Sequence, residues 1–259
     1  MAQNTTPLVL HPARSEAGRW PTGLARGPHG PRRVHDGPGR GGGSLPAWWR
    51  AVAGELWALG TIAASMPLGL LVRDGFDPTA PHPIPVVFVH GLGGGRSNFL
   101  VLRRFLERRG VRNFATFSYR PRLDYQRVVP GLARLIEEVC QDTGAPRVDV
   151  VGHSLGGLVA RHLVELGDGS RVRRLVTLGA PYYSERRPAR ELAIFAAHDP
   201  LVPTPTDERG RMIVVEDCGH LNLLRHPAVL HAVARFLRMT VASGAPEVRG
   251  IGCLRAVGS

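Results

Sequence analysis

From residue 85 onward the spacing of apolar and polar positions switches repeatedly between two periods. "VVFVH" (Val86–His90) is an unbroken apolar run, the pattern of a strand buried on both faces. "SNFLVLRRFLERRG" (Ser97–Gly110) repeats apolar residues every three or four positions, which predicts an amphipathic helix closed by Gly110. A strand follows in "NFATFSY", then a helix over Asp124–Gly144 that Pro130 disturbs near its start. "RVDVVGH" is a strand and "LGGLVARHLVELG" a helix. Three more strands are expected in "RRLVTLG", "ELAIFAAH" and "RMIVVE", and "HPAVLHAVARFLRM" closes the series as a helix. Alternation of this kind predicts an α/β fold with a mostly parallel central sheet and helices on both faces. Functional groups in such sheets gather at the carboxyl ends of the strands.

The periodic region covers residues 85–240. Before it, residues 1–44 are rich in Gly, Pro and Arg and carry almost no aliphatic pattern, so a disordered head is expected there. Residues 45–73 read as an apolar helix. Arg50, Gly54, Ala58, Thr61 and Ser65 fall on one stripe of small and polar residues, while Trp48, Trp49, Leu56, Trp57, Leu59 and Ile62 cover the rest. The uncharged run Leu56–Val72 lies at the lower limit of roughly 17–25 residues for a bilayer span, and Pro67 weakens it as one. Three alternatives stand: a helix docked on the main domain or lying in a membrane interface, a signal anchor, and a cleaved export signal. A membrane surface met through Trp48–Val72 is accordingly one candidate partner. A membrane-associated, envelope or secreted location is favoured over a cytoplasmic one. Residues 74–84 read as a linker and residues 241–259 as a tail.

Charge changes this picture little. The net charge is +12, and every basic residue is arginine. The arginines are scattered, with short clusters such as Arg103-Arg104, Arg108-Arg109 and Arg186-Arg187. Scatter is the mark of a solvated surface, so no specific nucleic-acid partner is expected. Cys140, Cys218 and Cys253 are widely spaced without a CxxC pair and predict no metal site. No sequence feature sets the oligomeric state.

The chemistry is carried by three strand ends. Gly152-His153-Ser154-Leu155-Gly156 fits G-x-S-x-G between a strand and a helix. There the chain turns sharply, the serine is pushed into strained dihedrals, and a helix N-terminus aims free N–H groups at the reacting centre. Ser154 is the candidate nucleophile. At the end of the first strand, "HGLGGG" offers preformed backbone donors for an oxyanion. The N–H groups of Leu92 and Leu155 are the candidate pair. A phosphate loop is disfavoured because no lysine follows and the G-x-G-x-x-G frame is incomplete.

A serine hydroxyl needs an imidazole to take its proton. His90 and His153 sit inside the two turns, and His162, His226 and His231 lie on helix patterns. His220, on a late strand-end loop, is the candidate base. Asp199, ending the preceding strand, is the preferred acid to hold the imidazole tautomer; Asp217 and Asp207 compete with it. An Asp before Pro200 also has a plain turn-forming use, compatible with the first.

The order Ser154, Asp199, His220, with "HGLGG" upstream, resembles the α/β-hydrolase family, above all bacterial lipases and esterases carrying G-H-S-L-G-G. The resemblance spans about residues 85–240. It implies hydrolysis of a carboxylic ester or lipid through an acyl-serine intermediate, with no metal or organic cofactor. Acyl transfer or thioester hydrolysis on the same fold is the alternative; a non-enzymatic membrane-associated module is the alternative of another class. One departure stands out: after "LVTLGAP" the chain reaches the next strand near Leu192, which leaves no room for a separate lid. A compact, lid-poor form is expected, with an open crevice or one covered by the Trp48–Val72 helix. Tyr182 and Tyr183 either line the substrate pocket or merely pack.

Overall fold

Short apolar runs bury both faces of a strand; six of them, together with the three-residue edge strand Arg32–Val34, lie side by side, all parallel, in the computed structural model of the chain. It describes residues 32–34, 47–65, 67, 73–120, 124–184, 186–206 and 210–238. The strands are β1 (Arg32–Val34), β2 (Val86–Val89), β3 (Phe114–Phe117), β4 (Val148–His153), β5 (Val172–Leu178), β6 (Glu191–Ala196) and β7 (Met212–Val215). Their order in the sheet is β1-β7-β6-β5-β4-β2-β3. The helices are α1 (Ala47–Ser65), α2 (Leu100–Glu107), α3 (Val129–Thr143), α4 (Leu155–Glu165) and α5 (Pro227–Arg238).

Successive residues of a strand point to opposite faces, and β2 divides the core accordingly. Val86 and Phe88 join α2 and α5, through Leu102, Leu106, Leu230 and Phe236. Val87 and Val89 join α3 and α4, through Leu132, Ile136, Val159 and Leu163. Burying each such side chain contributes about 1.5–3 kcal/mol. From β2 the chain steps outward to β3, then crosses back to β4 on the other side of β2. The carboxyl ends of β2 and β4 therefore border the switch point, where open α/β sheets place their sites.

The helices expected at Ser97 and Asp124 each begin with a 3₁₀ turn, Arg96–Phe99 and Tyr125–Val128. Pro130 lies in the first turn of α3, where its missing N–H costs nothing.

Helix α1 ends at Ser65, two residues before Pro67. Its small-residue stripe faces the domain at Ala58, which is fully buried, as is the neighbouring Ala51. Trp48, Trp49, Leu56, Trp57 and Leu59 are exposed. Among the described residues no helix is long and apolar enough to cross a membrane.

Two segment boundaries need correction. Arg32–Val34, inside the head expected to be disordered, pairs with Ile213–Val215 as an edge strand. Backbone hydrogen bonds offered by an open sheet edge recruit this short piece without any apolar pattern of its own. The linker expected at residues 74–84 is tied to the domain. The Asp74 carboxylate accepts bonds from Arg103 Nη1 (3.2 Å), Thr116 N (3.0 Å) and Thr116 Oγ1 (3.1 Å). Gly75 and Phe114 also exchange backbone bonds. The rest of residues 1–44, the expected tail 241–259, Cys253 and Asp207 lie outside the described residues.

Candidate active site

The turn between β4 and α4 is built around Ser154, which has φ 54° and ψ −125°; it is the one non-glycine residue with positive φ among the described residues. A side chain there is strained by about 1–3 kcal/mol unless its surroundings hold it. They do. The Ser154 N–H donates to Leu178 O at 2.8 Å, and Leu158 N–H donates back to Ser154 O at 3.1 Å. The flanking glycines leave no space for a side chain. A Cβ on Gly152 would lie 2.5 Å from Gly157 Cα, and one on Gly156 would lie 2.2 Å from Val89 O. Leu155 opens α4, so its N–H has no acceptor within the helix. Ser154 itself is half-buried, within reach of solvent.

The glycine loop after β2 closes against this turn. A Cβ on Gly91 would stand 2.9 Å from Ser154 Cβ, so the backbone of the loop passes directly beside the serine. Gly94 N–H donates to Gly91 O at 3.2 Å and tightens the loop, and the Leu92 side chain is exposed. A clamp invisible in the linear pattern holds the loop's first residue. The Tyr119 hydroxyl donates to His90 O at 2.7 Å, and its ring stacks on the His90 imidazole with centroids 4.8 Å apart. Burial raises the Tyr119 hydroxyl well above its ordinary value and lowers the His90 imidazole below its own. Tyr119 follows β3, next to β2 in the sheet, so its place beside the loop depends on strand order, which the sequence does not state.

His220 and Asp199 are brought together. His220 Nδ1 donates to Asp199 Oδ2 at 2.6 Å, and both side chains are buried. The other carboxylate oxygen, Oδ1, accepts from Leu201 N (2.8 Å) and Val202 N (2.9 Å). One aspartate therefore both forms the turn before Pro200 and orients the imidazole. Those two N–H bonds fix the carboxylate rotamer, and Nε2 is left as the ring nitrogen able to exchange a proton.

His153 connects the two halves. Its Nε2 donates to His220 O at 3.2 Å, and the two rings lie 4.8 Å apart. Burial, reinforced by the positive charge His220 can take, pulls the His153 imidazole down to about 3. It is a neutral donor that ties the serine turn to the histidine loop. Its Nδ1 is buried with no hydrogen-bond partner, which suits the uncharged ring. Gly179, at the end of β5 with φ +54°, lies 3.1 Å from His220 Nδ1 when given a Cβ. The imidazole thus needs a glycine beside it.

The other candidates lie elsewhere. Asp217 turns away from His220, toward Arg50 Nε (3.5 Å) and His226 Nε2 (3.6 Å). Tyr182 is held between the guanidinium groups of Arg161 (3.8 Å) and Arg187 (3.6 Å) and packs against Phe195. Tyr183 is exposed and stacks on Tyr125 at 6.3 Å. Arg161 itself was hidden in the helix pattern. It is buried, pairs with Glu191 at 2.7 Å, and donates to Pro181 O, which pins the loop after β5 to the helix after Ser154. Between β5 and β6, residues 179–190 cross over without a helix among the described residues. No cluster of three His, Cys, Asp or Glu side chains suited to a metal is found among the described residues.

Residues 86–205 match the model of the alpha/beta hydrolase family. Among solved structures, a serine hydrolase without lid from Xanthomonas campestris is similar over 64% of this chain and 88% of that one, at 21% identity and a TM-score of 0.51. A lipase of Bacillus licheniformis in its propeptide form is similar over 64% of this chain and 53% of that one, at 16% identity and a TM-score of 0.51. On its sheet order, its strand-to-helix turn and these likenesses, the chain has the alpha/beta hydrolase fold.

Proposed function

We propose that this domain is a serine ester hydrolase in which Ser154 is the nucleophile, His220 the base, and Asp199 its orienter. The observation that carries the reading is the buried His220–Asp199 hydrogen bond at 2.6 Å, joined through His153 to the strained turn that holds Ser154. His220 Nε2 takes the Ser154 proton as Oγ attacks the ester carbonyl. The developing oxyanion is met by the N–H groups of Leu92 and Leu155, each worth roughly 10²–10³ in rate. The tetrahedral adduct collapses, the C–O bond breaks, and the alcohol leaves with the proton held by His220. Water then attacks the acyl-serine, gives its proton to His220, and releases the acid as Ser154 regains its hydrogen.

The short crossover between β5 and β6 supports an open crevice that takes soluble or short-chain esters. The likeness to a Xanthomonas campestris serine hydrolase without lid supports this reading. Tyr183, exposed in the loop after β5, is the proposed rim contact; Tyr182 serves packing.

The test is turnover of a series of p-nitrophenyl esters by the wild type and by Ser154→Ala. Loss of at least about 10³-fold in the variant with short acyl chains preferred by the wild type is expected. Turnover surviving the substitution refutes the assignment.

A further inference from the structure

Helix α1 stands outside the alternating strand–helix series, yet it reaches the loop that carries His220. The Glu55 carboxylate accepts two backbone hydrogen bonds there: Leu221 N–H to Oε2 at 3.0 Å and Asn222 N–H to Oε1 at 2.9 Å. These are the two N–H groups immediately after the histidine. Asn222 begins a 3₁₀ turn, Asn222–Leu224, whose first amides have no acceptor of their own. A carboxylate supplied by a helix 166 residues away in sequence caps that turn. No side chain within the turn caps it.

Two glycines make the approach feasible. A Cβ on Gly219, the residue before His220, would lie 2.4 Å from Glu55 Cγ and 2.5 Å from its Oε1. A Cβ on Gly54 would lie 2.6 Å from Asn222 Nδ2. Arg50, one turn earlier on the same helix, pairs with Asp217 at 3.5 Å. The loop Asp217–Asn222 is thus gripped on both sides of the histidine by a single face of α1. From the opposite side, His153 holds the His220 carbonyl.

We propose that Glu55 is a positioning residue for His220, so that α1 is a working part of the catalytic apparatus and not merely a covering helix. This rests on His220 being the base. Both carboxylate oxygens are engaged with amides that follow the histidine directly, so the dihedrals that aim the imidazole at Ser154 are set from α1. A misplacement of about 1 Å at a reacting group can cost on the order of 10²-fold in rate.

The full chain is compared as wild type, Glu55→Ala, Glu55→Gln and Leu59→Ala, the last an exposed position of the same helix. Glu55→Ala is expected to lower kcat about ten- to hundredfold while KM stays within about threefold. Glu55→Gln keeps one acceptor oxygen and is expected to fall between. Leu59→Ala is expected to match the wild type. The far-downfield proton resonance of His220 Nδ1–H is expected to broaden or vanish in Glu55→Ala at temperatures well below its melting midpoint. An unchanged kcat in Glu55→Ala overturns the inference. So does a lowered kcat that tracks only the unfolded fraction while the folded protein keeps the resonance. Ser154→Ala separates this from the parent reading: if it retains turnover, the hydrolase assignment fails, whereas the resonance still reports whether Glu55 holds the loop.

Discussion

His153 gives the most quantitative prediction, because its burial couples the fold to acid. In the unfolded chain its imidazole takes the ordinary value of 6.5; in the fold it is pulled down to about 3. Between those two values the unfolded state binds a proton that the folded state refuses. Stability therefore falls as pH drops below 6.5 and stops falling, for this group, near pH 3. Each pH unit within the window is worth about 1.4 kcal/mol, so pH 5 costs about 2 kcal/mol relative to neutrality. The assay is urea unfolding of the wild type and of His153→Gln at pH 7 and pH 5. Glutamine retains an amide N–H for the His220 carbonyl but does not titrate. The lowered imidazole of buried His90 owes nothing to His153, so its contribution is alike in both proteins and cancels in the difference. The wild type should lose about 2 kcal/mol more than the variant on acidification. Parallel losses would refute the claim that a neutral, buried His153 links the serine turn to the histidine loop.

Three further substitutions test the geometry. Asp199→Asn still satisfies the Leu201 and Val202 amides but faces Nδ1 with an N–H, so turnover of a p-nitrophenyl ester should fall on the order of 10³–10⁴-fold with the fold intact. Asp217→Asn, aimed at Arg50 and His226, should cost less than about tenfold; the reverse order would move the acid to Asp217. Ser154→Gly removes the strain at φ 54° and should stabilise the protein by about 1–3 kcal/mol while abolishing turnover. Calorimetry should record a higher melting temperature, and an unchanged or lower one would mean the turn is not strained.

What could be read in advance was whatever is encoded locally. The strands from Val86 to Val215 and the closing helix follow from periodicity, because a parallel sheet needs continuous apolar runs and a surface helix needs a stripe. Ser154 was legible from the strand–glycine–helix junction alone. The pairing of His220 with Asp199 follows from two late strand ends that reach the same sheet edge. The groups that escaped notice are those whose role depends on strand order or distant pairing. Tyr119 matters because β3 neighbours β2. Arg161 matters because Glu191 ends up beneath it. Glu55 stands directly before the uncharged run Leu56–Val72, where nothing in the linear pattern marks it as a partner of a loop 166 residues on. The polar stripe of α1 was visible, but not that this stripe, and not the tryptophan-rich face, would meet the domain. The short strand at Arg32–Val34 has no signal of its own, because its partner supplies the reason for it.

That small strand has a consequence for how the molecule meets its own copies. Met212–Val215 is an apolar strand that would otherwise end the sheet with its backbone groups turned outward. Bare borders of that kind invite a neighbouring molecule to continue the ladder. Three residues from the arginine-rich head occupy the place first, and they are too few to offer a good template in turn. This short piece thereby acts as a hem, keeping the fabric of one molecule from being stitched to the next.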